Sequence, residues 1–307
     1  MSHYEETRVA CTPVAEGVRF EVGHASACAV RNEQRDISVR VRRRGHFLQE
    51  LLGRVPLVRG IIRLFAAIGN LLGGIGEAER LKPQSVVRGS AFTRQFAALF
   101  RTTPQSLIGL LDGFAIPVIL LALMIGLPML VEQGLLALGD LPRFAVNTIC
   151  LAFRIAGAVL SVYFICRLKL VSRLCMYRGA SAKVLNAYEA YGPNLSHEDA
   201  LLSSRLTDRS DGAFLIAVLL ASLIGFACFR TDGLLMRLGY RAGVILTAAA
   251  MLNELILPLE RARPETLGAT LRTPLVGLQH LFTLEPHNQM IEVAVCAFRA
   301  AYENDIA

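Results

Sequence analysis

Long apolar stretches with few or no charges are the dominant pattern of this sequence. Residues Gly113–Val131 carry no charged side chain, and two similar runs follow at Phe144–Cys166 and Gly212–Phe229. A fourth apolar run covers Leu234–Leu259. Each run is long enough to cross the roughly 30 Å hydrocarbon core of a bilayer as a helix. We therefore predict a mainly α-helical, polytopic membrane protein with about four transmembrane helices.

Before the apolar runs, hydrophobic and polar residues follow a different spacing. From Ile37 to Arg42 apolar and polar residues alternate strictly, which is the pattern of a half-buried β-strand. Gly17 and Gly23 lie nearby in the same polar region. We predict that residues 1–46 form an N-terminal cytoplasmic region with short strands and a small sheet.

The segment 47–105 combines apolar residues with positively charged ones. It is rich in leucine and isoleucine but contains Arg54, Arg59 and Arg63, whose charges would be costly at the centre of a bilayer. An amphipathic helix on the membrane surface and a re-entrant segment both suit this composition. We predict one of these two structures for residues 47–105.

The apolar runs divide the rest of the chain into membrane and cytoplasmic parts. Transmembrane helices 1 and 2 fall within residues 106–166, and helices 3 and 4 within residues 212–259. Gly239 and Gly243 stand four residues apart near the start of the last helix and predict a close-packing face there.

Two polar segments flank the last pair of spans. The connection 167–211 is expected to be partly helical, and the acids of His197-Glu198-Asp199 are typical of a first helical turn rather than of a metal site. In the tail, residues 260–307, Pro286 is followed by apolar residues at helical spacing, which predicts a C-terminal amphipathic helix.

The charge distribution indicates a membrane surface. Hydrophobic residues make up 53% of the chain and charged residues 19%, and the formal net charge is +7. Basic residues cluster beside the apolar runs, for example at Arg40–Arg44 and Arg167–Arg173. By the positive-inside rule, both termini and the connection 167–211 are cytoplasmic. The expected partner is the lipid bilayer of a bacterial cytoplasmic (inner) membrane rather than nucleic acid.

The spacing of cysteines and histidines predicts no metal or nucleotide site. The seven cysteines form no Cys-x-x-Cys pair, and no two of the six histidines stand four residues apart. The glycine-rich stretch Gly73–Gly76 lacks the Gly-Lys-Ser/Thr ending of a phosphate-binding loop. We therefore expect reduced thiols, no bound metal and no cofactor.

Ionisable residues are the remaining candidates for chemistry. Arg154 and Glu254 lie within the predicted spans, where a charged group pairs with another or faces a polar path unless it snorkels from a helix end. Acid/base chemistry at the cytoplasmic face would draw on a wider set. Its candidates are Glu16, Lys183, Glu189, Glu254, His280 and Glu285.

Several short segments carry a family resemblance in their order and spacing. They are Val14–Val18, Ala29–Arg31, Val55–Gly60, Asn253-Glu254, Leu278-Gln279 and the tail motif Glu285-Pro286…Glu292-Val293-Ala294. Together these segments resemble the YqhQ-like family of bacterial membrane proteins, a group often described as predicted metal-dependent enzymes. The resemblance spans most of the chain and implies that the family's fold is shared.

The family's presumed reactive motifs are altered in this chain. Where the family reads Tyr-His-Gly-Ala-Glu-His-Lys, residues 177–183 read Tyr-Arg-Gly-Ala-Ser-Ala-Lys. Where it reads His-Pro-Arg-Cys-Gly-Thr-Ser-Phe, residues 207–214 read Thr-Asp-Arg-Ser-Asp-Gly-Ala-Phe. Both changes remove imidazole, thiolate or carboxylate groups that zinc and similar ions require. The departures therefore argue against metal chemistry, while family residues and one span residue remain as binding candidates: Glu16, Arg59, Arg154, Tyr177, Gln279 and Glu292.

Three functional hypotheses follow. The first is a non-catalytic family member that acts in binding or regulation, beside a catalytic relative or as a homo-oligomer. The second is a membrane enzyme whose acid/base chemistry uses Lys183, Glu189, Glu254 or Glu285. The third is a small-solute conduit that uses Arg154 and Glu254.

Overall fold

A four-stranded sheet and eight α-helices make up the described part of the chain. The computed structural model describes residues 9–14, 16–31, 36–43, 55–81, 134, 143–167, 169–207, 210–228, 234–260 and 266–306. The strands are β1 (Val9–Val14), β2 (Gly17–Val22), β3 (Ala25–Arg31) and β4 (Ile37–Arg43). The helices are α1 (Val58–Leu81), α2 (Arg143–Ile165), α3 (Lys169–Tyr191), α4 (His197–Leu202), α5 (Asp211–Cys228), α6 (Leu234–Glu260), α7 (Leu267–Leu278) and α8 (Asn288–Ile306).

The chain divides into two compact units. One consists of Met1–Lys82 together with Cys166–Ala307, and the other of Pro83–Ile165. Helix α2 belongs to the second unit, and all other elements named above belong to the first.

The strands form an antiparallel meander in the order β1-β2-β3-β4. Because side chains alternate between the two faces, the register collects the apolar residues of β2 and the alanines of β3 on one face. The alanine side chains are short and leave room for a helix above this face. These buried residues are Val18, Phe20, Val22, Ala27 and Ala29.

The alternation predicted between Ile37 and Arg42 is confirmed in β4. Ile37 and Val41 pack against the same apolar cluster as β2 and β3, while Arg40 and Arg42 of β4 are exposed. Val39, which the alternation places with Ile37 and Val41, is 39% exposed and lies outside this cluster. The N-terminal region therefore contains the small sheet that its period-two pattern predicted.

Helix α8 lies across the apolar face of the sheet. The Phe298 ring contacts Phe20 of β2, with ring centroids 5.6 Å apart, and Tyr188 of α3, with centroids 5.1 Å apart. Ile291 and Ala301 are also fully buried on this helix. The predicted amphipathic tail helix is thus present, and it joins the sheet to α3.

The start of α4 confirms the prediction for the His197-Glu198-Asp199 triplet. The Ser196 hydroxyl accepts a hydrogen bond from the Asp199 N–H at 3.1 Å, and the Asp199 carboxylate accepts one from the Ser196 N–H at 2.8 Å. This reciprocal pair is a capping box, which satisfies two backbone donors that would otherwise lack partners.

Helices α1, α5, α6 and α7 form a second group with its own core. Where α1 crosses α6, a Cβ atom on Gly60 would overlap the Ala249 carbonyl oxygen, so only glycine permits this approach. The predicted close-packing face at Gly239 and Gly243 has no neighbour within 4 Å of either position in the described part of the chain. The buried core residues are Leu64, Phe214, Val218, Ala249 and Ile256.

An ion pair lies beside this crossing. Both the Nε and Nη2 groups of Arg59 donate to the Glu254 carboxylate, the former at 2.6 Å. The Leu57 N–H donates to the same carboxylate at 3.1 Å. Glu254, an ionisable residue of a predicted span, therefore has its charge compensated by a residue of α1.

Within the described ranges two helices are long and apolar enough to cross a membrane, at Ala145–Ile165 of α2 and Leu238–Glu260 of α6, and the apolar stretch Asp211–Ala227 of α5 is shorter. Two such helices are a weak indication of membrane association, because a core helix of a soluble protein has the same length and composition. The predicted span Gly113–Val131 lies outside the described residues. Four spans therefore remain a prediction.

Helix α3 makes a close contact with the segment before α8. A Cβ atom on Gly179 would overlap the Leu284 carbonyl oxygen and approach Pro286 Cδ at 3.2 Å. The Leu284 N–H donates to the Cys175 carbonyl at 3.2 Å. The missing side chain at Gly179 therefore sets the position of residues 282–286 against α3.

Replacing Gly179→Ala is expected to lower the free energy of unfolding by about 1–3 kcal/mol, the usual cost of overpacking. The matched control is Gly69→Ala on α1, where a Cβ meets nothing within 4 Å. There the better helix propensity of alanine should stabilise by up to about 1 kcal/mol. Circular dichroism melting of the detergent-purified proteins measures both effects, and equal melting temperatures would contradict the close contact.

Reversing either charge of the Arg59–Glu254 pair is expected to lower the melting temperature, because two like charges then face each other. The exchanged double variant, Arg59→Glu with Glu254→Arg, should recover most of the loss. Arg43→Glu, on the exposed end of β4, serves as a control for charge reversal alone. A double variant no more stable than the worse single variant would argue against a direct pair.

Candidate functional site

One face of α3 forms the wall of a cavity. Arg178, Ser181, Ala182 and Leu185 follow the spacing i, i+3, i+4, i+7, which places them on one side of the helix. The cavity has a volume of about 110 Å³. Its other walls come from β1, from Arg63 of α1, from the loop and first turn leading into α5, and from the end of α7. The lining residues there include Cys11, Thr207, Ser210, Asp211, Gln279 and Thr283.

The Arg178 guanidinium is the most unusual group in this cavity. Its Nη2 donates to the Ser210 hydroxyl at 2.7 Å, and its Cζ lies 4.6 Å from the centre of the Phe282 ring. Within the described residues no carboxylate lies within 4 Å of this guanidinium. Burial lowers the pKa of Arg178, against the opposing influence of Cys11 and Asp211. Since arginine keeps its charge inside proteins, the structure places a cation here that has no ion-pair partner among the described residues.

The second guanidinium of the cavity is compensated. Arg63 Nε lies 3.2 Å from Asp211 Oδ1, and Arg63 Nη2 lies 2.8 Å from Glu260 Oε1. Burial lowers the pKa of Arg63, but the two carboxylates outweigh it and leave that pKa raised. The Phe214 ring lies under the guanidinium at 4.7 Å. The two arginines therefore differ in electrostatic state although they line one cavity.

Hydrogen bonds to the backbone hold the loop that ends at Thr207. The Gln279 side chain accepts from the Thr207 N–H at 3.1 Å and donates to its carbonyl at 2.7 Å. Lys183 donates to the Leu201 carbonyl at 3.0 Å, and Asn186 donates to the Leu206 carbonyl at 2.7 Å. Gln279 and Lys183, which the sequence marked as binding and catalytic candidates, thus position this wall.

Two smaller groups complete the lining. Burial raises the pKa of the Cys11 thiol, so this group carries no charge that would compensate Arg178. Thr283 is 1% exposed, and its hydroxyl has no hydrogen-bond partner in the described part of the chain. A buried hydroxyl without a partner costs free energy, which makes Thr283 a natural donor to a bound group.

A second polar cluster lies on another face of α3. Glu16, in the β1–β2 turn at φ 64°, accepts from Arg173 at 2.7 Å. Tyr177 follows Arg173 by one helical turn, and burial together with the Glu16 charge raises the pKa of Tyr177 to about 12. Arg31 donates to Glu292 at 2.7 Å. The positive charge of Arg31 acts on the pKa of Tyr177 in the opposite direction and lowers it. The binding candidates Glu16, Tyr177 and Glu292 are therefore brought together.

The remaining candidates lie apart from the cavity lining. Glu285 pairs with Lys183 at 3.0 Å and with Arg205 at 3.2 Å. Glu189 and His280 are exposed, and Glu254 pairs with Arg59 as described above. Arg154 is half-buried on α2 in the other unit.

The altered positions of the two motifs meet at the cavity. All five positions at which the family motifs carry histidine, glutamate or cysteine contribute to its lining: Arg178, Ser181, Ala182, Thr207 and Ser210. By sequence alone these positions are lost ligands, and nothing in their spacing predicts that they form one site. Arg63 and Thr283 are distant in sequence from both motifs and carry no local signal, whereas Asp211 directly follows Ser210 within the second motif stretch. The motif positions themselves were the available signal.

The residues at this site do not fit a divalent metal ion. A guanidinium repels a cation, and serine and threonine hydroxyls and an alanine methyl supply none of the charge of the family's histidine, glutamate and cysteine set. Among the described residues no group of three or more His, Cys, Asp or Glu side chains is placed to hold a metal.

Comparison with known proteins agrees with the resemblance seen in the sequence. The chain is 24% identical over 293 residues to a protein of Bacillus subtilis (strain 168) named "Uncharacterized protein YqhQ". The aligned region covers 93% of this chain and 89% of the Bacillus protein. No solved structure matches. The family described as "Protein of unknown function (DUF1385)" matches residues 55–304, and the chain therefore belongs to this family, to which the resemblance to YqhQ-like proteins had pointed.

Proposed function

We propose that this protein is a non-catalytic member of its family that resides in the bacterial cytoplasmic membrane and acts by binding or regulation. One observation carries the proposal. The motif positions converge on a single cavity, and the polar groups they contribute to it are a guanidinium and hydroxyls: Arg178, Ser181, Thr207 and Ser210. The resemblance implies metal-ligating groups at these positions, and in this chain they carry a cation and hydroxyls instead. Its partner would be a catalytic relative or a second copy of the chain.

The acid/base alternative has less support. Lys183 and Glu285 lie together, but Lys183 also donates to the Leu201 carbonyl and Glu285 also pairs with Arg205. Glu254 is engaged by Arg59 and by the Leu57 N–H. A general base needs a free lone pair within reach of a substrate proton, and these contacts favour positioning roles instead. The conduit alternative depends on Arg154 and Glu254, and the contacts with Arg59 and Leu57 engage Glu254 in the same way.

Exposed apolar side chains support the membrane part of the proposal. On α2, Phe153, Leu160 and Phe164 are 45%, 54% and 60% exposed. On α6, Met251 and Leu255 are 64% and 61% exposed. Large apolar residues repeated along a long apolar helix are favourable against lipid and costly against water. We propose four spans with both termini cytoplasmic, as the distribution of arginine and lysine predicts.

Metal analysis tests the cavity part of the proposal. Protein purified in detergent without chelator is expected to hold zinc, iron and manganese well below one equivalent, because the guanidinium repels cations at the site. A matched positive control is the triple variant Arg178→His, Ser181→Glu, Ala182→His, which restores ligand groups to α3 and should gain metal. Stoichiometric metal in the unaltered protein, measured by plasma mass spectrometry, would overturn the proposal.

Fractionation tests the membrane part separately. After lysis without detergent and ultracentrifugation, the protein is expected in the pellet, and it should resist extraction by carbonate at high pH because spanning helices are held by hydrophobic burial. Immunoblotting of pellet and supernatant measures the distribution. Recovery in the supernatant would exclude spanning helices.

A further inference from the structure

We infer that the cavity binds a small oxyanion, a phosphate group, with Arg178 as its anchor. This inference rests on the proposed function in one respect, since the cavity must be free of metal to accept an anion. It goes further by assigning the ligand chemistry and the residues that recognise it.

The charge of the site favours an anion. Arg63 faces two carboxylates, Asp211 and Glu260, whereas Arg178 has no carboxylate within 4 Å among the described residues. The Cys11 thiol beside it stays neutral because burial raises its pKa. A partly buried charge that lacks a partner among the described residues is costly, and a bound anion would reduce that cost.

The Arg178 guanidinium lies beside the N-terminus of a helix. Arg178 Nη2 lies against the first turn of α5, so close that a Cβ atom on Gly212 would overlap it. The N-terminus of this 18-residue helix carries a partial positive charge that adds to that of the arginine. The Asp211 carboxylate in the same turn opposes this positive charge, but it is paired with Arg63 at 3.2 Å. Cation and helix terminus together therefore favour an anion on the cavity side of Arg178.

The site also supplies hydrogen-bond donors. The guanidinium has five N–H donors, of which the structure shows one in use, toward the Ser210 hydroxyl. The Ser210 oxygen also accepts from the Ala213 N–H at 3.3 Å, which leaves its own proton free to donate. Thr283 adds a buried hydroxyl that lacks a partner in the described part of the chain. These are donors, as the acceptor-rich oxygens of a phosphate group require.

The size of the cavity limits the ligand. The cavity volume of about 110 Å³ is well below the roughly 300–1,000 Å³ of sites for drug-sized ligands. One tetrahedral oxyanion fits, and a nucleotide does not. The phosphate group can be free phosphate or the headgroup of an anionic lipid, and both present the same oxygens. The Asp211 carboxylate also lines the cavity, so the anion would lie on the Arg178 side, away from the Arg63–Asp211 pair.

The test uses the full-length protein in two arms, at constant ionic strength set with sodium chloride. In the first arm, inorganic phosphate is titrated into detergent-purified protein, and melting temperature and calorimetric heat are followed. In the second arm, the protein is placed in nanodiscs of phosphatidylcholine with or without phosphatidic acid. A saturable rise in melting temperature in the first arm assigns free phosphate, and a rise in the second arm alone assigns the lipid headgroup. No rise in either arm overturns the inference.

Three variants connect any binding to the cavity. Arg178→Gln should weaken binding at least about tenfold, because it removes a charged hydrogen-bond donor. Arg40→Gln removes one charge from the exposed face of β4 and should leave binding unchanged. Thr283→Val keeps the shape but removes the hydroxyl, and it should weaken binding about fivefold while raising the melting temperature of the unliganded protein.

The Thr283→Val result decides the matter if Arg178→Gln does not fold. Binding that is unchanged in Thr283→Val, or equal in Arg178→Gln and Arg40→Gln, would overturn the inference. The metal content of the same preparation separates the two proposals. Stoichiometric metal removes the proposed function, whereas a metal-free protein that ignores phosphate in both arms removes the oxyanion site alone.

Discussion

The close contact between Gly179 of α3 and the Leu284 carbonyl controls much of the first unit. It allows residues 282–286, which lie between the end of α7 and the start of α8, to approach α3 closely. Gln279, Phe282 and Thr283 precede the contact and reach the cavity region from this side. Any side chain at this helix position would push the segment outward, and the cavity would lose one of its walls.

Helix α3 makes different contacts on each of three faces. One face packs against α8 and the sheet through residues such as Val184 and Tyr188. A second face carries Arg173 and Tyr177 into the cluster around Glu16, and a third carries Arg178 and Ser181 to the cavity. A helix packed on several sides holds its side chains in defined rotamers, so the cavity keeps its shape when individual lining residues change.

The two cavity arginines show how electrostatics can distinguish chemically identical groups. Arg63 is bound between carboxylates from α5 and α6 and acts as a link between helices. Arg178 is held by a hydroxyl and an aromatic ring, which orient the guanidinium without cancelling its charge. A guanidinium that is oriented by neutral groups keeps its positive electrostatic potential inside the cavity, whereas the carboxylates of an ion pair neutralise it. The difference lies entirely in the partners that the fold supplies.

The sequence by itself determined the elements whose signals are local. The period of two identified β4, the helical spacing after Pro286 identified α8, and the acids after Ser196 marked the start of α4. Apolar length alone located α2, α5 and α6, since hydrophobic runs need no partner to be recognised. The motif segments also identified the family. Only the tertiary structure decided that Glu254 faces Arg59, that Lys183 and Gln279 hold a loop, and that five altered motif positions share one cavity with Arg63 and Thr283. Those contacts join residues from 18 to 195 positions apart. The packing of α1 against α6 and of α3 against its neighbours, rather than any spacing along the chain, brings them together.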